Sequence, residues 1–297
     1  LIAPTCELHV AYIDPYGSER HGDRLHIHPI RPTRWRWKLF LRLFHTPADP
    51  YGDLLPQLTQ IVERVRPDMI HVHGTELSYL ALHEHARRSG IPFLVSLQGI
   101  TSAIHRKYAG SHSTARLRRT IVKWGWSDRK LLPQTALANA RTLRRSAQRE
   151  HAHFPFIPNF AGRTHWDRHI ATLFNPAARY FQIDRVLKPA FQSSRWNPLP
   201  LDSPNAVLHT TLSDATFKGF EIVAEACWHL ARTGLDVEWR IAGLQADSWS
   251  VRMARAKLRG RFPDRHFRFL GKQDAAGLVD SMLRSHVYVL SSLSENS

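Results

Sequence analysis

The chain has 297 residues, 43% hydrophobic and 22% charged, which is enough for two domains with buried cores. Its apolar runs all fall short of the ~20 residues a membrane-spanning helix needs. The two cysteines, Cys6 and Cys227, are too far apart in sequence to indicate a disulfide framework or a cysteine zinc site, so a reducing compartment is expected. An excess of 41 Lys+Arg over 25 Asp+Glu, net +16, calls for an acidic partner: nucleic acid, an anionic membrane surface or a phosphorylated substrate.

Short apolar runs alternate with longer amphipathic stretches, the pattern of parallel strands joined by helices in an α/β fold. Strands are predicted at Glu7–Ile13, Leu25–Ile30, Asp68–His73, Pro92–Leu97 and Phe154–Ile157. Helical spacing predicts helices over Leu54–Val65 and Glu76–Arg88, the second with Thr75 as N-cap and Gly90 as C-cap. In Gly162 to Asp167, Thr164 and Asp167 have the spacing of a capping box, which leaves Arg163 just outside a helix. The Pro- and Asn-rich stretch Arg195–Pro204 marks a domain boundary and divides the chain into 1–200 and 201–297. Beyond it the alternation restarts: strand Ala206–Leu212, helix Phe220–Ala231, strand Val237–Ala242, helix Ser250–Arg261, strand Phe267–Leu270, helix Ala275–Arg284 and strand Val287–Leu290.

Three places carry residues suited to chemistry. Lys218-Gly219-Phe220 opens a helix after a strand and a short loop: the lysine can neutralise a diphosphate, Gly219 permits close backbone approach, and the helix start adds partial positive charge. Val287 to Ser297 reads as a buried strand running into a polar loop, where Glu295 can accept hydrogen bonds from sugar hydroxyls. In Asp68 to Glu76, alternation puts His71 and His73 on one face of a strand whose end leads into Gly74. An H-x-H pair can ligate a metal, but no matching Asp, Lys and later His ligands accompany it, so a polar position lining a cleft is the better reading.

Six segments in order, Arg66 to Glu76, Ser96 to Ile100, Gly162 to Arg168, Lys218 to Phe220, Phe269 to Gly271 and Ser291 to Ser297, resemble the group 1 retaining glycosyltransferases, with G-R-T-x-W-D and S-x-x-E-N-S looking like a bacterial subgroup. The resemblance implies the GT-B architecture, two Rossmann-like domains facing across a cleft. The acceptor would lie mainly on the first, at His73, Gly74, Gln98, Gly99 and Arg163. A nucleotide-diphosphate sugar would lie mainly on the second, at Lys218, Gly219, Gly243 and Glu295. Lys218 matches the family lysine on the donor diphosphate, and Glu295 the first glutamate of an E-x7-E motif. The second glutamate would fall beyond Ser297, and the first glycine-rich loop before Leu1. The chain therefore reads as a piece cut at both ends, its second domain incomplete and itself inactive. Gln98 stands where many relatives carry histidine, and the arginine that often precedes the lysine is not found in His209 to Phe217.

The implied reaction is sugar transfer with retention to a carbohydrate or lipid-linked acceptor, in cell-surface or extracellular polysaccharide or glycolipid synthesis. Lys218 and Glu295 carry it, with the nucleotide sugar as co-substrate and neither cofactor nor metal. Other readings are a GT-B epimerase, a basic nucleic-acid-binding protein, which lacks any recognisable reading motif, and the H-x-H metallohydrolase. Residues 31–44 and 116–126 interleave basic with aromatic and aliphatic side chains. A cytoplasmic protein touching the anionic inner membrane face through them is expected, against the plainer reading of core helices with solvated arginines.

Overall fold

The structure is a computed structural model that describes residues 6–14, 16–31, 54–108, 110, 136–184, 186–197, 199–200 and 205–294. Strands are β1 (Leu8–Ile13), β2 (Arg20–His21), β3 (Leu25–Ile30), β4 (Ile70–His73), β5 (Phe93–Ser96), β6 (Asn159–Gly162), β7 (Arg179–Gln182), β8 (Asn205–Thr211), β9 (Asp236–Ala242), β10 (Phe267–Gly271) and β11 (Val287–Tyr288). Helices are α1 (Leu54–Val65), α2 (Leu82–Arg88), α3 (Thr101–Lys107), α4 (Ala136–His153), α5 (His165–Phe174), α6 (Pro189–Gln192), α7 (Phe220–Ala231), α8 (Trp249–Leu258) and α9 (Ala275–Leu283). The chain divides into two units: Leu1–Ser102 with Lys130–Asp184 and Asn296–Ser297, and Ala103–Arg129 with Arg185–Glu295. The passage at 184/185 precedes the 200/201 boundary read from the sequence, because α6 packs on α9 and the Trp196 indole donates to the Ser285 carbonyl at 2.9 Å.

In the first unit β4-β5-β6-β7 form a parallel sheet in chain order, and β1-β3-β2 a smaller sheet with β1 and β3 parallel and β2 antiparallel. One core serves both. On α1 the four-residue spacing of Leu54, Leu58 and Val62 makes a buried stripe that packs with Ile30, Val72, Val95 and Phe160. Each such side chain contributes roughly 1.5–3 kcal/mol on burial. In the second unit β10-β9-β8-β11 are all parallel, around Trp239, Ile241, Phe220, Val223 and Cys227. The buried Trp239 indole is satisfied by the Thr210 hydroxyl at 2.8 Å.

Several expectations are corrected. Phe154–Ile157 is not a strand: Phe154–Phe156 form a 3-10 turn, since Pro155 has no amide for a ladder and an i, i+3 turn buries both Phe154 and Ile157. The strand follows as β6. The Glu76–Arg88 helix forms only as a 3-10 turn at Ser78–Ala81 leading into α2, and Thr75 does not cap it; its buried hydroxyl instead faces the Gly99 carbonyl at 3.1 Å and the Glu150 carboxylate. Gly90 does close α2, at φ 69°. The helix expected to run to Arg261 ends as α8 at Leu258, with a 3-10 turn at Arg259–Arg261. Neither α4 nor β7 is expected from the sequence. The capping box of α5 is present: Thr164 accepts from the Asp167 amide, and Asp167 accepts from the Thr164 amide at 3.2 Å.

Candidate functional site

Parallel sheets gather the ends of their strands on one edge, and there the loops approach a ligand. In the first unit that edge collects His73-Gly74 after β4, Gln98-Gly99 after β5 and Arg163 after β6. The Gln98 amide lies 3.4 Å from His73 Nδ1, and Gly74, at φ 83°, donates its amide to the Ser96 carbonyl at 3.0 Å. His71 and His73 share a face as alternation requires, with ring centroids 4.1 Å apart. Burial, and then the neighbouring His73, push the His71 imidazole below its usual range, so it is neutral at pH 7, with Nε2 2.7 Å from the Ser96 hydroxyl. Among the described residues no third histidine, cysteine or carboxylate completes a metal set with this pair. Arg163 is half-buried, its amide donating to Asp167 at 3.0 Å and its carbonyl accepting from Gln182 at 2.6 Å.

Sequence reasoning missed Glu150. Fully buried on α4, it accepts the Thr101 and Ser102 amides at the start of α3, each at 2.7 Å, and so fixes the loop Gln98 to Ile100. A glutamate 49 residues from its partners leaves no local signal.

In the second unit the strand order 10-9-8-11 reverses between β8 and β11, which places the topological switch point there. Lys218-Gly219 follows β8 and Ser291 follows β11. The Ser291 hydroxyl donates to the Lys218 carbonyl at 2.9 Å, and the Leu293 amide to the Phe217 carbonyl at 2.8 Å. Gly219 is at φ 76°, and a Cβ there would lie 2.2 Å from the Ser291 carbonyl oxygen, so only glycine admits this approach. Gly243, after β9, is at φ 91° with a hypothetical Cβ 2.0 Å from the Leu212 carbonyl oxygen. The half-buried Lys218 holds its ammonium 5.4 Å from the Phe217 ring centroid. Glu295 lies outside the described residues, as do residues 32–44 and 116–126 of the basic-aromatic stretches.

Three helices begin at this edge, and they differ: the start of α9 is capped by Asp274, whose carboxylate accepts the Gly277 amide at 2.8 Å. The start of α8 is filled by Asp214, whose carboxylate accepts the Trp249 and Ser250 amides at 2.9 and 2.8 Å and the Ser250 hydroxyl at 2.7 Å. The start of α7 has Gly219 as its N-cap and no side-chain cap. Asp214, too, escaped the sequence reading, being 35 residues from the amides it holds. No helix among the described residues is long and apolar enough to cross a membrane.

No family model matches the sequence, and no curated protein matches it. Solved structures do. A sucrose-phosphate synthase from Thermosynechococcus elongatus is 12% identical with a TM-score of 0.59, over 98% of this chain and 66% of that one. An α,α-trehalose 6-phosphate synthase from Burkholderia multivorans is 14% identical, TM-score 0.53, over 97% and 69%. A UDP-forming α,α-trehalose-phosphate synthase from Burkholderia xenovorans, solved with glucose-6-phosphate, is 12% identical, TM-score 0.51, over 97% and 71%. The chain thus spans about two thirds of the length of these structures. They are GT-B glycosyltransferases, and the chain has the GT-B fold.

Proposed function

We propose that the protein is a glycosyltransferase that moves a sugar from a nucleotide-diphosphate donor to an acceptor hydroxyl with retention. The observation that carries this reading is the switch point of the second unit, where Lys218, Gly219 and Ser291 meet beside a helix start without a side-chain cap. With Asp214 on α8, a donor diphosphate finds its complementary charge at Lys218 and α7. Glu295 would take the sugar hydroxyls, and Gly243 would let the donor approach the backbone after β9. On the first unit, His73, Gly74, Gln98, Gly99 and Arg163 would receive the acceptor.

Departure of the nucleoside diphosphate places negative charge on the leaving phosphate, and stabilising it is the largest lever a protein has. Lys218 supplies the compensating positive charge without a metal. The leaving phosphate takes the acceptor proton on the same face of the sugar, so no side chain serves as general base and the configuration is retained. A lipid-linked acceptor in cell-surface synthesis fits the net charge of +16 and the basic-aromatic stretches 31–44 and 116–126. A panel of radiolabelled nucleotide sugars offered to the full-length enzyme with membrane-extract acceptors tests the reading. Transfer that retains anomeric configuration and needs Lys218 is expected; inversion, or transfer that persists undiminished in Lys218→Ala, would overturn it.

A further inference from the structure

The small sheet of the first unit carries histidines at a density the proposed transfer does not use. In β1 and β3 the register pairs His9 with His26, and in β2 and β3 it pairs His21 with His26, while alternation puts His28 on the face of His26. Four imidazoles therefore crowd one face. The rings of His9 and His26 stack at 4.5 Å, and those of His9 and His28 at 5.3 Å.

Two of these rings aim at one oxygen. His9 Nε2 is 3.1 Å and His26 Nε2 2.9 Å from Glu7 Oε1, and the three ligand atoms all lie within 4.8 Å of one another. Bond lengths of 2.0–2.1 Å in a tetrahedral zinc site set neighbouring ligand atoms ~3.3 Å apart, so the two nitrogen–oxygen separations need open by only a few tenths of an ångström, with the two nitrogens already within 4.8 Å of each other. Behind His9, its Nδ1 lies 3.0 Å from His28 Nε2, and His28 Nδ1 lies 3.3 Å from Glu19. Behind His26, its Nδ1 lies 3.0 Å from His21 Nδ1. We propose that Glu7, His9 and His26 form a binding site for a divalent transition-metal ion of the zinc class, with His28 and Glu19 fixing the tautomer of His9.

Proton bookkeeping favours this assignment. Without an ion, Arg64, 3.2 Å from His28 Nδ1, donates to it. His28 then donates from Nε2 to His9, and His9 from Nε2 to Glu7. With an ion on His9 Nε2 the chain reverses: His9 donates from Nδ1 to His28, and His28 from Nδ1 to Glu19. The reversal is a change of tautomer at His9 and His28. A carboxylate at the far end of such a chain is the usual support of a metal-bound imidazole. Two nitrogens and one carboxylate oxygen suit zinc or cobalt rather than magnesium or calcium. Glu7 is exposed and the two histidines half-buried, so the ion would enter from solvent and keep a water in its remaining position.

The test is titration of the EDTA-stripped 297-residue chain with zinc, followed by calorimetry and by thermal unfolding, and with cobalt, followed by its visible absorption. One zinc per chain is expected, raising the melting temperature. Glu7→Gln and His26→Ala should each weaken binding at least ~10–100-fold, and Glu19→Gln about tenfold. Glu7 is exposed, so Glu7→Gln without metal should melt as the stripped parent does, which separates lost binding from lost folding. Absence of stoichiometric zinc binding, or zinc binding undiminished in Glu7→Gln and His26→Ala, would overturn the site.

Discussion

The half-buried Lys218 accepts the Ser291 hydroxyl on its carbonyl and holds its ammonium near the Phe217 ring, so replacing the side chain touches both local packing and the charge at the switch point. In the full-length enzyme Lys218→Ala is expected to lower kcat/KM for transfer by on the order of 2–4 kcal/mol, roughly 30- to 1,000-fold, with a far smaller effect on the melting temperature. Comparing kinetics and thermal unfolding on one preparation checks both halves. Gly219→Ala should lower stability directly. It forces a Cβ to within 2.2 Å of the Ser291 carbonyl at φ 76°, costing about 1–3 kcal/mol in chemical denaturation. His209, buried on β8 between the Ser281 and Thr211 hydroxyls, is pushed down to about 4 by burial and secondarily by Arg240. The unfolded chain binds that proton near the ordinary 6.5. The contribution of His209 is therefore complete above pH 6.5 and is lost as pH falls toward 4. At about 1.4 kcal/mol per unit this amounts to on the order of 3–4 kcal/mol. Urea unfolding at pH 7 and 5 should show a smaller loss in His209→Gln than in the parent, and equal losses would contradict the assignment.

At the scale of elements, Glu150 matters most to the first unit's edge. Removing it in Glu150→Ala leaves the buried Thr101 amide and the half-buried Ser102 amide of α3 without their acceptor, a loss on the order of 3 kcal/mol in denaturant unfolding. Thr164→Ala, which removes a half-exposed cap from α5, should cost only about 1 kcal/mol. The two also differ in how well the sequence announced them. The cap is a relation across three residues, and so Thr164, Asp167 and Gly90 could be read directly. Strands β8, β9 and β10 were legible because burial on a parallel sheet writes itself as a short apolar run, and β3 because its apolar residues alternate with His26 and His28. What failed was of two kinds. Helix α4 is arginine-rich with no continuous apolar stripe, and β7 is a four-residue edge strand, mostly exposed, so neither bears the usual pattern. The run Phe154–Ile157 has a strand's composition but a turn's spacing, and Pro155 settles it. In the candidate site, Lys218, Gly219 and the His71–His73 face were legible as strand ends. Glu150 and Asp214 were not, because each serves amides tens of residues away.

For the whole molecule, the net charge of +16 and the stretches 31–44 and 116–126 bear on where the protein works. Co-sedimentation with anionic vesicles that falls away at high salt is expected, with little recovery on neutral ones. Equal, salt-insensitive recovery would argue against a membrane role. The GT-B fold leaves the chemistry to the residues at the strand ends, and the proposed transfer requires the switch point of the second unit to hold a nucleoside diphosphate. Calorimetric titration of the chain with UDP, GDP and ADP in EDTA tests this most directly. One of the three is predicted to bind without metal, and Lys218→Ala to weaken it about 10- to 100-fold; binding of none, or equal binding by Lys218→Ala, would contradict the account.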